Sequence, residues 1–173
     1  MHQKQCKILL YAVVLEVAFA LYGQVVVAGQ PNIEGFRGIP WGARLAEVPH
    51  LTLVDSTRRI QTYEWEDGPP SLGDAQVSQM QLVAIQGKFA RVSIRYSGES
   101  NHDKILAYLQ SRFGPIDRFP GTMMRGLNQQ YSWQTDETQV NLTYHSFRER
   151  GDVFIESRAL APRFLDSLPE HSY

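Results

Sequence analysis

The sequence predicts an α+β domain, an antiparallel sheet of about six strands with two helices on one face. Three observations predict it. Residues 76–96 alternate apolar and polar side chains on either side of Gln86-Gly87, the pattern of a hairpin. Residues 100–113 carry an apolar stripe at helical spacing, and three further alternating segments follow at 129–134, 139–147 and 152–158. The length agrees: 173 residues, 43% hydrophobic and 20% charged, fit a single globular domain and exclude disordered, collagen-like and coiled-coil chains.

The chain opens with Lys4 and Lys7 ahead of an apolar run from Ile8 to Leu15, the charged and apolar regions of a signal peptide. Cleavage suits Ala18-Phe19-Ala20 or Val26-Val27-Ala28 ahead of Gly29. The second site is favoured because the chain turns polar at Gln30, Pro31 and Asn32. The predicted division is therefore a signal peptide over 1–28 and one α+β domain with a short C-terminal tail over 29–173. An uncleaved membrane anchor is the main rival, a buried N-terminal helix of a cytosolic protein the lesser one. Ile8 to Ala28 has 21 residues, the length of a membrane-spanning helix. Against it, Glu16 near the middle costs about 2.5–3.5 kcal/mol on insertion scales, and Gly23-Gln24 weakens the run. Cys6 precedes the apolar run, whereas a bacterial lipoprotein cysteine follows it. Removing 1–28 takes away Lys4, Lys7, Cys6 and Glu16, leaving 15 basic and 17 acidic residues and no cysteine, so the domain folds without a disulfide.

The segment 36–42 mixes Phe36, Ile39 and Trp41 with glycines and Pro40, which suits an anchored turn. Ala43 to Val48 predicts a first helix of about one and a half turns, stopped by Pro49. Ile60 to Glu66 alternates as a half-buried strand with Tyr63 and Trp65 on one face, and 67–74 is loop. Strands at 77–85 and 89–96 follow, the second with Ala90, Val92, Ile94 and Tyr96 on one face and Arg91, Ser93 and Arg95 on the other. Ser100 and Asp103 predict a capping box for the second helix, whose stripe is Ile105, Leu106, Leu109 and Phe113, and Gly114-Pro115 ends it. A flexible connection is expected from Asp117 to Leu127. In the last hairpin, pairing Phe147 with Asp152 sets Tyr144 opposite Ile155, Leu142 opposite Ser157 and Thr143 opposite Glu156, which separates apolar from polar faces. The order helix, three strands, helix, three strands reads as two α-β-β-β units, with Tyr63-Glu64-Trp65 echoed by Tyr131-Ser132-Trp133.

Phe36-x-Gly-Ile-x-Trp41-Gly42 leading to Glu47-Val48, together with Leu109-x-x-Arg-Phe113-Gly114, resembles a group of small exported bacterial proteins. Their helix-plus-hairpin units are similar to those of the β-lactamase inhibitor protein and of the small lipoprotein of the outer-membrane β-barrel assembly machinery. This chain has Arg44 where that pattern commonly has a capping Ser or Thr, and it lacks a lipobox. The resemblance implies a fold and a protein-binding habit, with no catalytic residues to carry over.

Seventeen basic against eighteen acidic residues leave a net charge of -1, so no uniform field exists to hold nucleic acid or an anionic membrane. Contact with a membrane is expected only through an uncleaved N-terminal segment. No nucleophile elbow, P-loop, dinucleotide fingerprint or zinc-ligand motif occurs. His50, His102, His145 and His171 are nowhere three or four residues apart, so no metal or cofactor is expected. His102 reads as a surface residue of the helix's first turn. His145 shares a strand face with Asn141 and Thr143, within expected reach of Glu156, which reads either as a dispersed site or as a solvated sheet face. Arg91 and Arg95, with Arg58-Arg59 nearby, suit an anionic ligand or a charged strand edge. Trp41, Trp65 and Trp133 read as core, and an exposed one would mark a binding patch. The sequon Asn141-Leu142-Thr143 lies in an expected strand and carries no weight.

The leading reading is a periplasmic or secreted non-enzymatic protein that binds another envelope or extracellular protein through its sheet face or an edge strand. A small-ligand module with an aromatic-lined pocket and an enzyme built around His145, Thr143 and Glu156 are the alternatives.

Overall fold

The computed structural model describes residues 34–116 and 127–160. The expected signal segment at 1–28, the connection at 117–126 and the tail from 161 lie outside the described residues. A small ribbon of β1 (Gly35–Phe36) and β2 (Ile39–Pro40) comes first. Then follow β3 (Leu51–Ser56), β4 (Ile60–Trp65), β5 (Gln79–Ile85) and β6 (Lys88–Ser97), the helix α1 (Glu99–Phe113), and β7 (Asn128–Gln134), β8 (Thr138–His145) and β9 (Arg150–Ser157). The last seven strands form one antiparallel sheet in the order β3-β4-β5-β6-β9-β8-β7. The α+β class holds, but two helices on one face do not.

The missing helix is explained by its own shortness together with a distant competitor. Between Pro40 and Pro49 the chain makes only a 3₁₀ turn at Leu45–Glu47, and Arg44 offers no capping side chain. The backbone just before that turn is engaged elsewhere: Gly42 N–H donates to Phe89 O and Phe89 N–H donates to Ala43 O, both at 2.8 Å, and Arg44 bridges to Lys88. A segment of six residues is too short to hold a helix against that competition. Half of the core face is covered instead by Phe36 and Ile39 of the ribbon, by Leu45, and by Leu72 and Ala75, which clasp each other's backbone within the β4–β5 loop.

α1 covers the other half with Ile105, Leu109 and Phe113, all buried among Val92, Ile94, Val140, Leu142, Val153 and Ile155. Its start corrects the expected capping box. Gly98, at φ 88, is the cap, no side chain caps the helix, and His102 N–H donates to Gly98 O at 3.1 Å. Asn101 fastens this corner, donating to Ser97 O at 2.9 Å and accepting from Gln76 N–H at 3.1 Å. Gly114 N–H bonds Gln110 O at 2.9 Å, ending the helix where expected. The indole of Trp133 then donates to Gly114 O at 3.1 Å, pinning the helix end to β7.

Two strand details also differ. β3 was not expected; it pairs along β4 with a bulge at Val54 that breaks its alternation, so Leu53 and Val54 are both exposed. A second bulge between β5 and β6 puts Phe89, rather than Ala90, in the core cluster with Val92. In the last hairpin His145 pairs with Arg150, so Tyr144 faces Gly151, Val140 faces Ile155 and Glu156 faces Gln139. The turn begins earlier than expected, with a 3₁₀ turn at Ser146–Arg148, which shifts the partners along the strand but keeps each residue on its face.

Candidate functional site

The sheet face opposite α1 is bare of any other element among the described residues. Register places its side chains in rows across the strands. One row runs Glu64, Gln81, Ser93, Phe154, Asn141, Ser132 from β4 to β7, all half-buried, over about 24 Å at the usual strand spacing. The rows on either side carry Thr62, Val83, Arg91, Glu156 and Gln139, and Gln79, Arg95, Asp152, Thr143 and Gln130. The face is polar and dominated by amides and hydroxyls, with Phe154 near its centre.

Its charges answer one another. Both Nε and a terminal nitrogen of Arg91 meet Glu156 Oε2, at 2.8 and 2.6 Å, and the guanidinium lies 5.5 Å from the Phe154 ring centroid. Arg95 sits 3.4 Å from Asp152 Oδ1 and donates to Gln79 Oε1 at 3.4 Å. Glu64 Oε1 accepts from Gln79 at 3.0 Å and from Gln81 at 2.8 Å. Arg91 and Arg95 are thus matched to carboxylates of β9, and do not form a cationic pair awaiting an anion. Arg58 and Arg59 lie in the β3–β4 turn, where Arg59 O accepts from Gln86 N–H, at the end of the sheet away from Arg95.

The expected site around His145 is not assembled. His145 bonds Asn128 Oδ1 at 2.7 Å and is exposed, while Glu156 lies opposite Gln139, at the far end of β8, and holds Arg91. Thr143 faces Asp152, and Asn141 accepts from Ser132 Oγ at 3.0 Å. These residues share a face but bring no histidine to a carboxylate.

His102, expected on the surface, is the buried histidine. It is 3% exposed and stacks on Tyr144 with ring centroids 4.0 Å apart. Gln129 Oε1 accepts from Tyr131 Oη at 2.7 Å and faces His102 Nε2 at 3.3 Å. Nε2 is therefore the protonated nitrogen, which leaves Nδ1 to accept from Tyr96 Oη at 2.8 Å. Burial holds the imidazole below its usual range, partly offset by the bond to Gln129 and by Asp103 and Glu99. Burial likewise raises the Tyr96, Tyr131 and Tyr144 hydroxyls, with the neighbouring tyrosines and carboxylates adding to the effect. Tyr96 has room because Gly151 lies opposite it: a Cβ there would stand 2.1 Å from the ring. His102, Tyr96, Tyr131 and Gln129 engage one another's polar atoms, and the His102 ring stacks on Tyr144, so the cluster locks α1 to β6, β7 and β8.

A cleft of about 330 Å³ lies at the edge of the bare face, where β4 and β5 part. Their last pair is Glu64 with Gln81; beyond it Trp65 stays with Leu51 of β3, while Gln79 stays with Arg95 of β6. Trp65, Gly68 and Pro69 form one wall, and the same residues back a smaller cleft of about 220 Å³ bearing Arg37, His50 and Glu66. Trp65 is half-buried and its Nε1 is shielded from solvent with no hydrogen-bond partner. Trp41 is also half-buried, but its indole bonds Thr138 Oγ1 at 2.9 Å, and Trp133 is core as expected. Among the described residues no group of three or more His, Cys, Asp or Glu side chains is placed to hold a metal ion. No family model matches the chain, and neither a curated protein nor a solved structure shows significant similarity to it.

Proposed function

We propose that the chain is an exported, non-enzymatic protein-binding domain, periplasmic or secreted, that holds another envelope or extracellular protein against the bare face of its sheet. The carrying observation is that face itself: six strands wide at the Glu64-to-Ser132 row, covered by no other element of the described chain, and with Arg91 paired to Glu156 and Arg95 to Asp152 within it. A face whose ion pairs are already formed presents hydrogen-bonding groups and one aromatic ring without the desolvation cost of isolated charges, which suits a polar, standard-sized interface. Lys4, Lys7 and the apolar run from Ile8 support export, and the motifs around Trp41 and Phe113 support the likeness to exported binding proteins.

Two measurements test the proposal. A photo-crosslinking residue at Ser93 or Asn141, in cells of the source, should give a discrete adduct that the same residue at Lys104 or Ser111, on the outside of α1, does not. Equal adducts from both surfaces, or none from the sheet face, would overturn the assignment. Mass spectrometry of the native protein should find an N-terminus near Gly29, and intact Met1 in a soluble cytosolic fraction would remove the export reading. The small-ligand alternative is favoured by one observation, the cleft beside Trp65.

A further inference from the structure

We infer that the cleft where β4 and β5 part is a binding site for a neutral sugar unit. The argument starts from the ladder. Strands that diverge within a sheet leave a gap walled by side chains of both, and here the gap is about 330 Å³, within the range of small-ligand sites. Its apolar wall is Trp65 with Pro69, a flat surface suited to the C–H face of a pyranose ring.

The polar wall decides the charge of the ligand. Arg95 opposes a cation and Glu64 opposes an anion. Gln79 lies between them, donating to Glu64 at 3.0 Å and accepting from Arg95 at 3.4 Å, while Asp152 holds Arg95 from the other side. Both charges are thus engaged before any ligand arrives. What remains for a ligand is hydrogen bonding of both kinds: Glu64 bonds the two glutamine amides through Oε1 alone, which leaves Oε2 to accept, and Arg95 is 68% exposed with donors to spare. Sugar hydroxyls donate to the first and accept from the second.

The site is separate from the protein-binding proposal, since Ser93 and Asn141 crosslinks can fail while sugar binding succeeds, and the reverse. The test is a titration of the ¹⁵N-labelled protein with cellobiose, maltose and N,N′-diacetylchitobiose. Sodium acetate, tetramethylammonium chloride and glycine serve as anionic, cationic and zwitterionic probes. Three indole signals are available, and loss of one in Trp65→Phe assigns Trp65. At least one disaccharide should move the Trp65 indole and the Gly68 and Gln79 amides saturably at millimolar concentration, leaving the Trp133 indole in place. Glu64→Gln should weaken that binding by about tenfold with the Trp133 signal unchanged, the sign that the fold is kept. Shifts produced by a charged probe and by no sugar would overturn the ligand class. No shift with any probe to tens of millimolar would overturn the site.

Discussion

Lowering the pH from 7.5 to 5 should destabilise the domain through His102. The imidazole is neutral in the fold, with Tyr96 donating to Nδ1 and Nε2 facing Gln129, and burial holds it below the usual histidine range. Between its native and unfolded pKa values the unfolded chain binds the extra proton. Stability is therefore complete above the unfolded value of about 6.5 and falls as pH drops through it toward the native value, by at most about 1.4 kcal/mol per pH unit for one proton. The charged form has little to gain in the core: Tyr96, Tyr131 and Tyr144 surround it, and the nearby carboxylates Asp103 and Glu99 are on its own helix, where the N-terminal end of the dipole opposes a cation. His102→Leu provides the comparison. It leaves the buried Tyr96 hydroxyl without its acceptor, at a cost of about 1–3 kcal/mol at pH 7.5, and removes the titration. Urea midpoints at pH 7.5, 6.5, 5.5 and 5.0 measure both. The wild type should lose stability on acidification while His102→Leu starts lower and loses less, so that the two curves converge. Parallel curves would refute the claim that a buried neutral imidazole controls this window, because the exposed His50 and His145 are present in both proteins.

Three further outcomes follow from packing. Leu109→Ala should cost about 2–5 kcal/mol by leaving a cavity, whereas Ser100→Ala should stay within about 0.5 kcal/mol because Ser100 is exposed and caps nothing; equal costs in chemical denaturation would mean α1 is not packed as described. Gly151→Ala should cost about 1–3 kcal/mol by driving the Tyr96 ring from its place, and near-UV circular dichroism should report the change; an unaltered spectrum and melting point would contradict that contact. Trp133→Ala should cost about 3–5 kcal/mol, while Trp65→Phe should be neutral or stabilising because it removes a donor that has no partner. A large loss in Trp65→Phe would show that Nε1 is engaged after all.

Strand alternation made most of the sheet legible, since residues such as Val92, Ile94 and Tyr96 can be buried together only on one face. His102 was also within reach. It precedes Ile105, Leu109 and Phe113 by three, seven and eleven residues and so belongs to their stripe; its place in the first turn beside Asp103 points to the surface, but the stripe decides. The failed first helix was not legible from 43–48, because what defeats it is the backbone of Phe89, more than forty residues away. Gly98 as cap depends on how β6 turns into α1, and the register of the last hairpin on a 3₁₀ turn, neither of which leaves a hydropathy signal. The cleft arises where a ladder ends between two strands, a property of pairing rather than of either strand alone.

Among the described strands, β6 and β9 form the one pairing that joins strands not consecutive in the chain. The sheet is therefore two meanders stitched by a single seam, with Val92 against Ile155, Ile94 against Val153, and Arg91 clasping Glu156 across a separation of 65 residues. Local hairpins form in about 1–10 μs, so the search that limits folding falls on this seam, where loop closure comes before any contact rewards it. Until it closes, β6 and β9 each present an unpaired edge rich in valine and isoleucine, the kind of edge that pairs with other chains. The bare face and the helix-covered face thus share one point of vulnerability in time, and a chaperone acting on this protein would have the exposed seam, rather than either finished surface, as its substrate.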